Sequence, residues 1–170
     1  MGVQSGERVL IVTDVLTRKV GEALKKAAQK VTPGNVKMVL LEDFGERPLT
    51  SLPKTLEDMI PRANVTFYAA RSIGGELAVR GPFIQLAKKY ARHGHMPSVN
   101  ERLMEEGMSA DYNKISELSK RVYEIVAKAK KGRVTSPAGS DLAVEFHPEW
   151  RWKISDGIFR TKGTWGNLPD

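Results

Sequence analysis

Strands and helices alternate along the first two thirds of the sequence, and this alternation limits the fold more than any other feature. Val9-Leu-Ile-Val12 is a short apolar run typical of a buried strand, and apolar residues recur at helical spacing from Val15 to Val31. Pro33-Gly34-Asn35 ends that helix, and the run from Val36 to Leu41 predicts the next strand. A helix between two strands indicates a βαβ unit, with parallel strands and a right-handed crossover.

The same alternation continues to about residue 131. We therefore predict an α/β domain over residues 1–131, with a mostly parallel, doubly wound sheet flanked by helices. The pattern predicts strands over 64–70 and 95–98, and helices over 52–63, from Gly81-Pro82 to Arg92, over 101–106 with Asn100 as its cap, and over 111–130.

The sequence changes character from about Gly132. Short apolar runs separated by glycine, proline and aspartate are typical of strands joined by tight turns. Residues 132–170 are therefore predicted to form a short β-meander extension, the start of a second domain. Trp150, Trp152 and Trp165 fall in this extension, where they either fill a small second core, which we favour, or line a cleft for an apolar side chain.

The composition excludes several kinds of site. The 170 residues contain no cysteine, so disulfides, thiolate zinc sites and cysteine nucleophiles are absent. No apolar run has the length of a membrane span, and the first residues lack a signal peptide, so we expect a cytoplasmic protein. Abundant charges of both signs resemble the composition of proteins from hot environments.

The net charge of +7 is compatible with nucleic-acid binding. Two of the basic clusters, however, lie on the predicted polar faces of helices, where solvation explains them. We therefore predict no nucleic-acid partner.

Ligands of such sheets bind at the carboxyl ends of the strands. The loop that begins at Thr13-Asp14 has no glycine-rich fingerprint, which argues against a dinucleotide cofactor. The loop after the third predicted strand contains Arg71, Ser72, Gly74 and Gly75, whose guanidinium and backbone amides could hold an anion. A surface connection without a ligand also explains this loop, and we favour that interpretation.

Other polar residues give weaker signals. Asp14 and Asp43 follow strand ends and could act as acid or base, although we favour capping of the next segment. His93 and His95 would share one face of a strand, but no third ligand lies at a matching spacing. We assign no catalytic residue and no metal ligand.

Four segments carry a resemblance to a known family. In order, they are Ser5 to Asp14, Ser109 to Ile115, Val134 to Leu142, and Asp156-Gly157 followed by Trp165-Gly-Asn-Leu-Pro169. Together they resemble the amino-terminal half of the aminopeptidase T-like metallopeptidases of bacteria and archaea, often labelled leucyl aminopeptidases. The Gly-Asn-Leu-Pro segment is fairly specific, whereas the first segment is common in α/β proteins.

The resemblance implies an enzyme whose carboxyl-terminal domain binds two divalent metal ions, zinc or cobalt, which activate water and polarise a peptide carbonyl. It also implies a homodimer that removes amino-terminal residues from peptides, although a related branch uses iron to open dihydroxypyridine rings. In the family, Gly-Asn-Leu-Pro is followed by Ala-Gly-Glu, whose glutamate is the first metal ligand. Here Asp170 follows Pro169, so no family ligand is carried onto this sequence.

We therefore predict that this chain is the amino-terminal, non-catalytic domain of a metal-dependent aminopeptidase, joined to the start of a truncated catalytic domain. By itself it is expected to lack peptidase activity and to hold no cofactor. Trp165, Gly166 and Asn167 are candidates for the wall of the substrate cleft. The alternative is a stand-alone α/β module that binds a small molecule or nucleotide.

Overall fold

The structure is a computed structural model that describes residues 1–168. Pro169, the last residue of the resembling segment, and Asp170 lie outside the described residues. The chain groups into two compact units, which we call the sheet unit (residues 1–110 and Gly157 onward) and the hairpin unit (Asp111–Asp156). The boundary predicted near residue 131 falls inside the hairpin unit, and it stays a prediction about the domains of a larger protein.

The elements are numbered along the chain. The strands are β1 Val9–Thr13, β2 Val36–Leu40, β3 Val65–Tyr68, β4 Arg92–His95, β5 Lys131–Thr135, β6 Asp141–Glu145 and β7 Trp165–Asn167. The helices are α1 Arg18–Gln29, α2 Lys54–Met59, α3 Leu77–Tyr90, α4 Glu101–Glu106 and α5 Tyr112–Val126, with 3-10 turns at Leu41–Phe44 and Ile60–Arg62. No helix within residues 1–168 combines the length and apolar character needed to cross a membrane.

The sheet unit confirms the predicted α/β fold. Its five strands are all parallel and follow the order β2-β1-β3-β4-β7. Because successive side chains of a strand point to opposite faces, Leu10 and Val12 of β1 pack with α2 and α3, whereas Thr13 lies against Gly21 of α1. Helices therefore cover both faces, and the core is closed.

Helix α3 begins at Leu77, four residues before the predicted start at Gly81-Pro82. The predicted start was wrong because it placed Pro82 in the first turn, whereas Pro82 lies inside the helix. Val79, Phe83 and Ala87 of this helix are buried at a spacing of four residues. Burial of this stripe against the sheet outweighs the hydrogen bond that Pro82 cannot donate.

Strand β4 covers Arg92–His95, whereas the sequence predicted a strand over 95–98. All four of its residues are buried although three are strongly polar. Apolar patterning could not locate this strand, because its polar side chains are satisfied by partners that are distant in sequence.

The predicted extension divides between the two units. Strands β5 and β6 form an antiparallel hairpin, whereas β7 joins the main sheet in parallel beside β4. The hairpin unit also contains α5, whose first turn is capped by the Asp111 carboxylate. Several of its large apolar side chains are exposed: Leu118, Val122, Tyr123, Ile125, Val134, Leu142, Trp150 and Trp152.

Candidate functional site

The strand order reverses between β1 and β3, and the crevice at their carboxyl ends is where doubly wound sheets bind ligands. We call this place the switch-point crevice. The loop after β1 contributes Asp14 and the loop after β3 contributes Arg71. Arg47, which precedes Pro48 across a cis peptide bond, also reaches the crevice.

Arg47 joins two buried carboxylates in the crevice. Its Nη1 lies 2.6 Å from Asp14 Oδ2, and its Nε donates to Glu76 Oε1 at 2.8 Å while Nη2 contacts the second oxygen of Glu76. The Arg47 side chain is 5% exposed, and the Asp14 and Glu76 side chains are fully buried. Glu42 lies at the margin of the same group, 3.5 Å from Arg47.

These contacts determine the protonation of the crevice. Burial opposes ionisation of Asp14, but hydrogen bonds from the Arg71 and Thr17 backbones and from Arg47 outweigh it and lower its pKa to about 2. Hydrogen bonding from Arg47 likewise lowers the pKa of Glu76. Both carboxylates are therefore ionised at neutral pH and poorly suited to carry a proton in catalysis.

The capping interpretation agrees with the structure at Asp43, whereas Asp14 closes the turn before α1 without capping that helix, whose N-cap residue is Thr17. Asp14 Oδ1 accepts from the Thr17 backbone at 2.8 Å, which closes the turn before α1. The Asp43 carboxylate accepts from the Leu40 backbone at 3.1 Å, at the start of the first 3-10 turn. Asn100 caps α4 as predicted, by accepting from the Leu103 backbone.

The anion-loop candidates lie beside the crevice, but several of their groups are already engaged. The Arg71 backbone and Nε both donate to Asp14, and the Ser72 backbone donates to the Ser98 hydroxyl at 2.9 Å. Gly74 and Gly75 are exposed, and Gly75 has a φ of +90°. Anion binding by this loop stays a prediction, and an anion there would compete with Asp14 for Arg71.

A second buried polar group lies on β3 and β4. Thr66 Oγ1 is 2.9 Å from His93 Nδ1, and His93 Nε2 is 3.3 Å from His95 Nδ1. Burial lowers the pKa of His93 to about 3, and burial with the Arg80 charge lowers the pKa of His95 to about 4. Both imidazoles are therefore neutral at physiological pH.

Two donors near these histidines lack partners among the described residues. The Tyr68 hydroxyl and Arg80 Nε are buried without a hydrogen bond. The Tyr68 ring lies 5.4 Å from the His95 ring, and burial raises the pKa of Tyr68. Unpaired buried donors of this kind are uncommon in folded proteins.

The substrate-cleft candidates form β7 itself. Trp165 is half-buried beneath Lys88 Nζ, which lies 5.6 Å from its ring centroid, and Gly166 packs against Phe159. Asn167 is exposed and pairs in register with His95. Because β4 separates β7 from β3, the cleft candidates and the anion loop occupy different positions along the carboxyl edge.

The described residues do not fit the two-metal centre that the resemblance implies. Within residues 1–168, no group of three or more histidine, cysteine, aspartate or glutamate side chains could hold a metal ion. Each of His93 and His95 also uses a ring nitrogen on a protein partner. We therefore assign no catalytic step through a metal to these residues.

Sequence patterns did not single out Arg47 or Glu76, although these residues form a buried ion pair in the crevice. They lie 29 positions apart, in segments without regular spacing. The one available signal is position, since both lie in segments that follow strands of the predicted sheet.

Comparison of the chain with protein-family models, with curated proteins and with solved structures finds no significant match.

Proposed function

We propose that this chain is the amino-terminal, non-catalytic part of a metal-dependent aminopeptidase similar to aminopeptidase T, which removes amino-terminal residues from peptides. The observation that carries the proposal is the position of β7. This strand runs parallel to β4, so Gly166 and Asn167 lie toward the carboxyl edge of the sheet, where α/β enzymes bind substrates. In the family, this segment leads directly to the first metal ligand.

The hairpin unit gives independent support for a larger protein. Its exposed apolar residues include Ile125, which is 72% exposed, and Leu142, which is 60% exposed. Large apolar surfaces in soluble proteins mark interaction sites. We propose that the metal-binding part of the enzyme covers this surface, and that the complete enzyme is a cytoplasmic homodimer.

In this proposal the sheet unit forms one wall of the substrate cleft. The exposed Asn167 amide would orient a peptide by hydrogen bonding, while Gly166 lets the strand pack closely on Phe159. In this proposal the residues of the sheet unit would position the peptide, and the metal centre would supply the activated nucleophile when bound.

The test begins with the coding sequence beyond the Asp170 codon, which is expected to continue with Ala-Gly-Glu or a close equivalent. The parent enzyme should hydrolyse leucine p-nitroanilide only with zinc or cobalt, and residues 1–170 alone should not, at any metal concentration. Metal-dependent hydrolysis by residues 1–170 would contradict the non-catalytic assignment, and a metal-loaded parent without peptidase activity would contradict the assigned reaction.

A variant pair in the parent tests the role of β7. Asn167→Ala should lower kcat/KM by roughly two- to tenfold, because one hydrogen bond to the peptide contributes about 0.5–1.5 kcal/mol. Asn113→Ala, an exposed asparagine on α5, is the matched control and should leave kcat/KM unchanged. Equal kcat/KM values for the two variants would contradict the proposal that β7 lines the substrate cleft.

The stand-alone binding module remains the alternative. It predicts saturable thermal stabilisation of residues 1–170 by a nucleotide, with no contribution from divalent metal. The Arg71→Gln variant should abolish that stabilisation if the loop after β3 is the binding site.

A further inference from the structure

A basic groove lies at the amino edge of the sheet, opposite the switch-point crevice. Its volume is about 300 Å³, at the lower end of the range for small-molecule sites. Three cations line it: Arg8 precedes β1, Lys37 lies near the start of β2, and Arg62 ends the 3-10 turn before β3. The apolar part of the lining includes Val9, Met59 and Ala63.

The groove keeps its positive charge because the nearby carboxylates bind other cations. Glu7 is adjacent to Arg8 in sequence, but both of its oxygens contact Arg92, at 2.7 Å and 2.6 Å. On α2, Glu57 and Asp58 both pair with Lys54. Within residues 1–168, no ion pair involves Arg8, Lys37 or Arg62.

Backbone hydrogen bonds hold the walls of the groove together. The Arg8 carbonyl accepts from the Asn64 and Val65 backbones at 2.8 Å and 3.2 Å, and the Arg8 backbone donates to Asn64 Oδ1 at 2.9 Å. The Val9 backbone donates to the Asn35 carbonyl at 2.9 Å. The segments before three neighbouring strands are therefore fixed, which reduces the entropy lost when a ligand binds.

We propose that this groove binds a small organic oxyanion. The phosphate or carboxylate head would contact the guanidinium groups of Arg8 and Arg62, whose planar donors match either anion, and Lys37 would add charge. The body of the ligand would cover the apolar lining. The site is independent of the proposed peptidase function, because Gly166 and Asn167 lie toward the carboxyl edge of the sheet.

The experiment is a ¹H–¹⁵N NMR titration of the 170-residue chain with phenyl phosphate, benzoate and neutral benzyl alcohol. The expected result is saturable shifts at the backbone amides of residues 8–9, 35–37 and 62–63, with an oxyanion and not with the alcohol. A response to phenyl phosphate alone identifies a phosphate site, and a response to benzoate alone identifies a carboxylate site.

Two variants make the result specific. Lys37→Gln with Arg62→Gln should raise the Kd by at least about tenfold, because both are exposed and lose charge without disturbing the core. Lys120→Gln, an exposed lysine of α5, is the control and should leave the Kd unchanged. Shifts scattered over the basic surface, equal binding of benzyl alcohol, or an unchanged Kd in the double variant would overturn the proposal.

Discussion

The two units contain the same ion-pair geometry in opposite environments. Arg47 donates to both carboxylate oxygens of Glu76 in the sheet unit, and Arg133 donates to both carboxylate oxygens of Asp141 in the hairpin unit. Each arginine donates through Nε and Nη2. The first pair is 5% and 0% exposed, whereas the second is 69% and 55% exposed. Water screens the second pair, so burial rather than geometry decides how strongly each pair affects stability.

The same contrast extends to the apolar residues. The core of the sheet unit is closed by helices on both faces, whereas the hairpin unit exposes much of its apolar surface. The sheet unit therefore buries the larger share of its apolar side chains within itself. The hairpin unit leaves a larger share exposed, which agrees with the covering surface proposed above.

The largest expected effect is at Arg47. Arg47→Met leaves Asp14 and Glu76 buried without their shared cation, and the free energy of unfolding should fall by about 3–5 kcal/mol. Urea denaturation at pH 7 measures this loss. Adding Glu76→Gln should recover part of it, because one uncompensated charge is removed.

The control is Arg133→Met, which breaks the exposed pair and should leave the urea midpoint unchanged. Equal destabilisation by the two substitutions would show that burial is not the difference between the units.

The buried histidines should make the sheet unit sensitive to mild acid. Their pKa values in the folded state lie below the ordinary 6.5, at about 3 for His93 and about 4 for His95. The unfolded chain therefore takes up the protons first, and stability falls as the pH drops below 6.5. Between pH 6.5 and pH 5 the loss should be about 2 kcal/mol for one histidine and about 2–4 kcal/mol for the coupled pair.

Urea denaturation at pH 6.5 and pH 5 checks this loss. The lowered carboxylate pKa values of Asp14 and Glu76 affect stability in a more acidic window, below their unfolded pKa values near 4. His93→Gln should reduce the loss by about half, since one titrating group remains. The same loss in His93→Gln as in the unchanged chain would assign the acid sensitivity to other groups.

These histidines also lie in the strand of the main sheet that apolar patterning did not predict correctly. Apolar runs predicted β1, β2 and β3 closely, because buried parallel strands are continuously apolar. The Arg92–His95 strand has no such pattern. Its polar side chains are buried because Glu7 and Thr66, distant in sequence, pair with Arg92 and His93, and because His93 and His95 contact each other. The position of the crevice was predicted from the ends of the strands. Arg47 at its centre was not predicted, because its partners Asp14 and Glu76 are distant from it in sequence.

Gly166→Ala should have an intermediate effect. A Cβ at this position would lie 2.5 Å from Phe159 Cζ, and Phe159 is only 6% exposed, so its ring has little room to move. Forced repacking of this kind costs about 1–3 kcal/mol. Thermal unfolding followed by circular dichroism measures the change.

The matched substitution in the hairpin unit is Gly132→Ala, whose Cβ would lie 3.0 Å from Phe146 Cζ. Phe146 is only half-buried, so its ring can shift toward solvent and the cost should be close to zero. A larger loss at Gly132 than at Gly166 would reverse the comparison between the units.

The smallest expected effect is on the exposed face of α5. Leu118→Gln with Ile125→Gln replaces side chains that are 58% and 72% exposed, so the free energy of unfolding should change by less than about 0.5 kcal/mol per site. The double variant should nevertheless bind less of the dye ANS and self-associate less in analytical ultracentrifugation, because apolar surface is removed.

Leu56→Ala, in the closed core of the sheet unit, is the contrasting change and should lower the free energy of unfolding by about 2–5 kcal/mol. A loss of similar size in the α5 variant would mean that the hairpin unit buries these side chains already, and the argument that it needs a covering surface would fail.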